Sequence, residues 1–317
     1  MQIDLIDYEH GISALDSGFA RPRLGAIHIL VENGGVAVID TGVNASVPLV
    51  LAALAAKGLT PNDVDYIVLT HIHLDHAGGA GALMTVCPNA RLTVHPRGAR
   101  HMIDPSRLWQ ATVDVYGLAA AQRSYGAIVP VPAERVIETA EGHRLELRGR
   151  ELTFLDTPGH ARHHVCIRDA GSGHFFVGDC FGLVYTELTQ DGRQHVFPTS
   201  SPSQFEPEVL KRTVKRIADC LPGAVYLTHY GQVRDVQRIA DDLVRLIDAH
   251  VTMAEAVQES GVRGQERQVL LKRGVREIIS DEALMQGWRI SPAALKDLFS
   301  IDDDLNAQGL AIWLDGR

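Results

Sequence analysis

The stretch Thr70-His71-Ile72-His73-Leu74-Asp75-His76-Ala77-Gly78-Gly79 sets three imidazoles and one carboxylate within six residues, directly after the apolar run Tyr66-Ile67-Val68-Leu69. Neutral imidazole nitrogen and carboxylate oxygen are the donors that suit zinc and related divalent ions. A tight turn at a strand end can aim several of them at one point. In an extended turn His71 and His73 project to the same side, while Asp75 and His76 reach toward a second point further on.

Three more candidate ligands end predicted strands. His160 closes Thr157-Pro158-Gly159-His160 after Leu152-Thr153-Phe154-Leu155, Asp179 follows His174-Phe175-Phe176-Val177-Gly178, and His229 lies in Thr228-His229-Tyr230-Gly231 after Ala224-Val225-Tyr226-Leu227. On these residues the sequence resembles the metallo-β-lactamase superfamily, whose His-x-His-x-Asp-His signature is matched without a gap and whose later His, Asp and His occur in order. The resemblance spans residues 25 to 232. It implies an α/β fold, a four-layer αββα sandwich, with two divalent metals in a cleft at one edge of the sheets. Position by position, it implies a first metal on His71, His73 and His160, a second on Asp75, His76 and His229, and Asp179 bridging them. Asp40, in Val38-Ile39-Asp40-Thr41-Gly42, matches the family's early Asp-x-Gly turn. It is expected, with Thr70, to brace the ligand loop from behind, where a carboxylate orients ligand imidazoles and raises their basicity.

Composition excludes other classes. With 317 residues and 45% hydrophobic content the chain can bury a large core and is no disordered tail. Lys plus Arg number 30 against 39 Asp plus Glu, a formal charge of -9. With no basic cluster, that argues against nucleic acid as a partner. Cys87, Cys166, Cys180 and Cys220 form no Cys-x-x-Cys pair and read as buried thiols of a reducing compartment. The early acidic residues Asp4 and Asp7 stand where a secretory signal needs a basic start. No window approaches the ~20 apolar residues of a membrane span. The expectation is a cytoplasmic protein with a small-molecule substrate and no membrane contact.

Along the chain, residues 3 to 40 read as strands, with Glu32-Asn33-Gly34-Gly35 as a hairpin turn. Ser46 to Lys57 carries helix signals: Ser46 as N-cap, Pro48 in the first turn and Gly58 past the end. Residues 97–130 form a helical insert holding Trp109, Tyr116 and Tyr125, and the chain returns to β pattern from Arg135 to Phe176. Residues 1–231 are thus expected to be the catalytic domain. Residues 232–317 form a helical C-terminal extension that packs on that domain or on a second copy in a homodimer. In that region Asp235 to His250 has apolar residues at helical spacing, and Val269 to Ile279 and Ser291 to Phe299 read as shorter helices.

The resemblance also implies the chemistry. A hydroxide bridging two metals, zinc first and iron or manganese as alternatives, attacks a thioester, ester or lactone carbonyl, and Asp75 orients the nucleophile and shuttles its proton. Glyoxalase II-like and lactonase-like branches fit best, although the Tyr that lactonases place three residues after the bridging Asp is Gly182 here. The alternative is a persulfide dioxygenase with a single iron on His71, His160 and Asp179. Trp109, Tyr116, Phe181, Tyr185, His163 and Tyr230 are the candidate substrate contacts.

Overall fold

Strands β1 (Leu5–Asp7), β2 (Ile12–Asp16), β3 (Ala26–Glu32), β4 (Gly35–Ile39), β5 (Val64–Val68), β6 (Arg91–Val94) and β7 (Val136–Glu138) pair in that order into one sheet. The sheet is antiparallel up to β4 and parallel from β4 onward. Strands β8 (Arg144–Leu147), β9 (Arg150–Asp156), β10 (Val165–Asp169), β11 (Phe175–Gly178), β12 (Val225–Leu227) and β13 (Gly231–Val233) form the second. There β11 and β12 are parallel and the remaining pairs antiparallel.

The alternation of side chains explains the layering. In β4, Val36 and Val38 point to one face and Ala37 and Ile39 to the other, and all four are buried. Such an all-apolar strand belongs in the middle of a layered sheet. The inner face, with Leu30, Ala37, Ile39 and Val68, meets Leu152, Phe154, Ile167, Phe176 and Tyr226 of the second sheet. Burial of each large side chain here contributes about 2 kcal/mol. The outer face is covered by α1 (Val47–Ala56), α3 (Ala80–Val86) and α4 (Pro96–Ile103). A one-turn helix, α2 (Leu74–Ala77), lies between α1 and α3 in sequence, and α5 (Ser106–Tyr116) and α6 (Leu118–Tyr125) complete the insert.

These elements were derived from a computed structural model that describes residues 2–200 and 204–317. They belong to one compact unit made of Met1–Thr157, His163–Gly178 and Pro222–Arg234; a second unit comprises Pro158–Arg162, Asp179–Leu221 and Asp235–Arg317. The units interleave along the chain. In the second unit α7 (Pro207–Ala218), α8 (Val236–Glu259), α9 (Gly264–Gln286) and α11 (Ser300–Asp315) pack together, with α10 (Pro292–Leu298) leading into α11. Helix α9 is twice the length its apolar spacing suggested. Its polar ends are held by ion pairs instead: Glu282, 4% exposed, takes two hydrogen bonds from Arg245 at 2.8 and 2.9 Å.

Two expectations need correction. Ser46 does not cap α1; its hydroxyl accepts from the Val43 amide at 3.1 Å and donates to the Ser17 carbonyl at 2.6 Å, tying the loop after β4 to β2. Cys220 is exposed, because it follows the last turn of α7 and faces outward, while the other cysteines are buried.

Two buried imidazoles make stability depend on pH. His28 in β3 lies against the Phe176 and Tyr226 rings at 5.6 and 5.5 Å, and His250 in α8 donates from Nδ1 to the Leu246 carbonyl at 2.7 Å. Burial lowers each from the ordinary 6.5 to about 4. A folded-state value below the unfolded one means the folded protein binds fewer protons. The stabilisation is therefore complete above 6.5 and is lost as pH falls toward 4, by about 3 kcal/mol per imidazole. Urea midpoints across that range are expected to fall steeply, and His250→Leu should remove part of the slope.

Candidate metal centre

Every candidate ligand of the first unit stands just beyond the C-terminal end of a strand. Strand β5 delivers the loop from Leu69 to His73, with Asp75 and His76 on α2, and β12 delivers Thr228 and His229. Strand β4, paired parallel to β5, delivers Asp40. Loops at the carboxyl ends of neighbouring strands converge on one side, which is where open α/β sheets bind ligands.

Asp40 organises this cluster from beneath. It is 1% exposed and held at a left-handed φ of 58°, a conformation that costs a non-glycine residue free energy and persists only where the surroundings impose it. Its carboxylate accepts from the Thr70 amide at 2.9 Å, from the Thr70 hydroxyl at 2.9 Å and from the Thr228 hydroxyl at 2.9 Å. It also faces Nδ1 of His76 at 3.3 Å. The three connections bind the ends of β4, β5 and β12 to one buried charge.

The same network sets the imidazole tautomers. With Nδ1 of His76 donating to Asp40 and Nδ1 of His229 donating to the Leu24 carbonyl at 2.7 Å, Nε2 is the basic nitrogen of both rings. Those Nε2 atoms lie 3.4 and 3.5 Å from Oδ2 of Asp75. The Thr70 hydroxyl gives its proton to Asp40 and can accept from Nδ1 of His71 at 3.1 Å, which again leaves Nε2 as the ligating atom. That Nε2 converges with Nδ1 of His73 to 2.9 Å. Donor atoms of Asp75, His76 and His229 lie within 4.8 Å of one another, a spacing that suits a divalent cation. Protonation of His76 or His229 would put positive charge beside Asp75 and hold its carboxyl well below the usual carboxylate range, against the burial that raises it.

In the second unit His160 and Asp179 are both buried, with Nε2 of His160 at 3.5 Å from Oδ2 of Asp179. The Thr199 hydroxyl meets Nδ1 of His160 at 3.2 Å and donates to the Asp179 carbonyl at 3.3 Å. The turn before His160 requires glycine. Gly159 has φ 125°, and a Cβ there would come within 2.4 Å of the Leu210 backbone. The Glu206 amide donates to the Gly159 carbonyl at 2.8 Å and the Thr213 hydroxyl to the Pro158 carbonyl at 2.7 Å, which fixes the turn to α7.

The other expected site residues separate. His163 is buried beside the ligand loop, its ring 6.2 Å from that of His71 and 5.6 Å from that of His73. Trp109 is half-buried against a cluster of Val43, Leu74 and Tyr125, and Tyr116 is exposed at the end of α5. Phe181 and Tyr185, expected as substrate contacts, are buried in the second unit: the Tyr185 hydroxyl donates to Asp302 and its ring meets Phe299 edge-on at 4.9 Å. Tyr230 is buried with Ala14 and Ala26. Sequence reading missed Thr228 and Thr199. A threonine directly before a ligand histidine, as at Thr70, was a usable signal for the first; Thr199 carries none.

Comparison with known proteins decides the family. The model for the metallo-beta-lactamase superfamily matches residues 20–230. The chain belongs to this superfamily. Membership places it among metal-dependent hydrolases and agrees with the αββα sandwich expected from sequence. The metallo-beta-lactamase fold-containing protein ST1585 of Sulfurisphaera tokodaii is 24% identical over 261 residues, covering 81% of this chain and 92% of that one. Its solved structure superposes with a TM-score of 0.65 at 21% identity over 95% of this chain and 98% of that chain. The metallo-beta-lactamase family protein TTHA1429 of Thermus thermophilus gives 0.66 at 21% identity, covering 96% and 93%. A hydroxyacylglutathione hydrolase of Stenotrophomonas maltophilia is 33% identical over 154 residues, which is 48% of this chain and 44% of that relative.

Proposed function

We propose that the chain is a dinuclear-metal hydrolase that cleaves a thioester, ester or lactone of a small molecule. In this reading His71, His73 and His160 hold one cation, Asp75, His76 and His229 hold the other, and Asp179 bridges them. The observation that carries it is the set of committed Nδ1 atoms on His71, His76 and His229. Each meets Thr70, Asp40 or the Leu24 carbonyl, so each ring offers Nε2 to a cation. A likeness to hydroxyacylglutathione hydrolases supports an acyl–sulfur substrate.

Two divalent cations, when bound, supply Lewis acidity toward a carbonyl and bring the ionisation of water close to neutral pH. The protein's own part is positional. Asp75, beside His76 and His229, orients the attacking water and takes its proton. Asp40 and Thr70 keep the ligand rings from turning, so the geometry is set before substrate arrives.

Metal content of protein purified without added metal or chelator tests the reading. About two zinc ions per chain, with hydrolysis of thioesters, aryl esters or lactones that chelation abolishes, is the expected result. One iron per chain with oxygen uptake on a persulfide would overturn it. No helix among the described residues is long and apolar enough to cross a membrane.

A further inference from the structure

Helix α11 is tied to a candidate ligand through one side chain. Asn306, 3% exposed, directs its carboxamide at a segment 106 residues earlier. Oδ1 accepts from the Ser200 amide at 2.8 Å and from the Ser200 hydroxyl at 2.9 Å, and Nδ2 donates to the Pro198 carbonyl at 3.3 Å. A backbone amide only donates and a carbonyl only accepts, so these partners fix which way the carboxamide faces. The Ser200 hydroxyl also stands 3.1 Å from the Asn306 carbonyl, and Ser200 is buried.

Thr199 is the residue between the two that Asn306 holds. Phe197, just before them, is anchored as well, exchanging both backbone hydrogen bonds with Leu183 at 2.8 Å. With its neighbours held, Thr199 presents its hydroxyl to the ligands. That hydroxyl donates its single proton to the Asp179 carbonyl at 3.3 Å, so toward Nδ1 of His160, at 3.2 Å, it can only accept. The Thr199 carbonyl, 3.4 Å from the same nitrogen, is an acceptor too. Both contacts place the His160 proton on Nδ1 and leave Nε2 for a cation. The turn after Asp179 is closed by Gly182, whose amide donates to the Asp179 carbonyl at 3.0 Å. A Cβ on Gly182 would come within 2.2 Å of the Phe197 carbonyl oxygen, so the segments carrying Asp179 and Thr199 lie backbone against backbone.

We propose that Asn306 is a positioning residue of the metal centre: it aims the Thr199 hydroxyl, which orients His160 and braces the turn carrying Asp179, so that α11 sets the affinity for the cation on His160. The inference rests on the ligand set of the hydrolase reading. Asn306 supplies no ligand atom and acts through Thr199.

Zinc titration of the metal-free full chain against a competing chelator is the test, with near-UV circular dichroism to confirm that each variant is folded. His160→Ala first identifies the binding step that depends on His160. Thr199→Val should weaken that step by about 10–100-fold, and Asn306→Ala by about tenfold because one residue stands between it and the ligand. Ser200→Ala keeps the amide bond to Asn306 and should weaken the step by about threefold; it carries the test if Asn306→Ala does not fold. Because Asn306 and Thr199 act in series, the double variant should bind no more weakly than Thr199→Val alone. Leu310→Ala, which truncates a buried side chain of the same helix, is the structural control: it should lower the urea midpoint and leave the His160-dependent step unchanged. Wild-type zinc affinity in Asn306→Ala, a loss shared equally by both binding steps, or the same loss in Leu310→Ala overturns the positioning role alone. A His160→Ala variant that alters no zinc-binding step overturns the ligand assignment and this inference together.

Discussion

Asp40→Ala is expected to destabilise the metal-free protein by about 3–5 kcal/mol. The figure follows from what the carboxylate serves. The Thr70 amide, two threonine hydroxyls and Nδ1 of His76 all lose their acceptor in a place where water does not enter, and each unsatisfied buried donor costs about 1–3 kcal/mol. The hydroxyls can rotate toward other acceptors, which keeps the total below the simple sum; the backbone amide cannot. Asp40→Gly separates the two contributions. It loses the same hydrogen bonds but relaxes the left-handed φ, so it should be less damaging than alanine by about 1 kcal/mol. Metal affinity should fall together with stability, by about 10–100-fold, because the His76 ring is no longer held. Equilibrium urea denaturation of metal-free protein, paired with zinc titration, measures both quantities. An alanine variant as stable as wild type would remove Asp40 from its bracing role.

Asp179→Ala should act on the opposite side of that balance. On the proposed ligand set its carboxylate is there for cations, and without them it is a buried negative charge, with Nε2 of His160 at 3.5 Å. Burying a charge costs free energy unless partners offset it, so removing this one should leave metal-free stability unchanged or raised. Turnover should fall by about 10³-fold or more, and the stabilisation that added zinc confers on wild type should shrink. Thermal midpoints with and without zinc, set beside kcat, distinguish this from a structural role. A variant that loses stability without metal but keeps turnover would show that Asp179 braces the fold and does not bind the cations.

Much of this was legible in the linear chain. The ligand motif is local, six residues long, and the apolar runs before it and before His160, Asp179 and His229 announced strand ends. The hairpin from β3 to β4 followed from Asn33-Gly34, and the chain of apolar residues in α8 from their spacing. Each of these signals depends only on side-chain period or turn chemistry, which neighbours in sequence determine among themselves.

What escaped the sequence lies at long range. Thr228 reaches Asp40 across 188 residues, and His229 reaches the Leu24 carbonyl across 205. A local pattern can mark Thr228 or Asp40 singly, but none marks their pairing, and nothing marks the Leu24 carbonyl, because a backbone carbonyl is the same group wherever it occurs. The tautomer of His229 comes from the second of these contacts, and that of His76 from Asp40, 36 residues before it. The use of Tyr185 to pack against Phe299 and Asp302 was hidden for the same reason, as was the full length of α9, which ion pairs between helices sustain where apolar period fails. Sequence by itself determined which groups could meet a metal and at which strand ends they would stand. The tertiary structure alone decided how they are aimed, because the groups that hold them are brought near only when burial of the two sheets against each other offsets the entropy of closing such long loops.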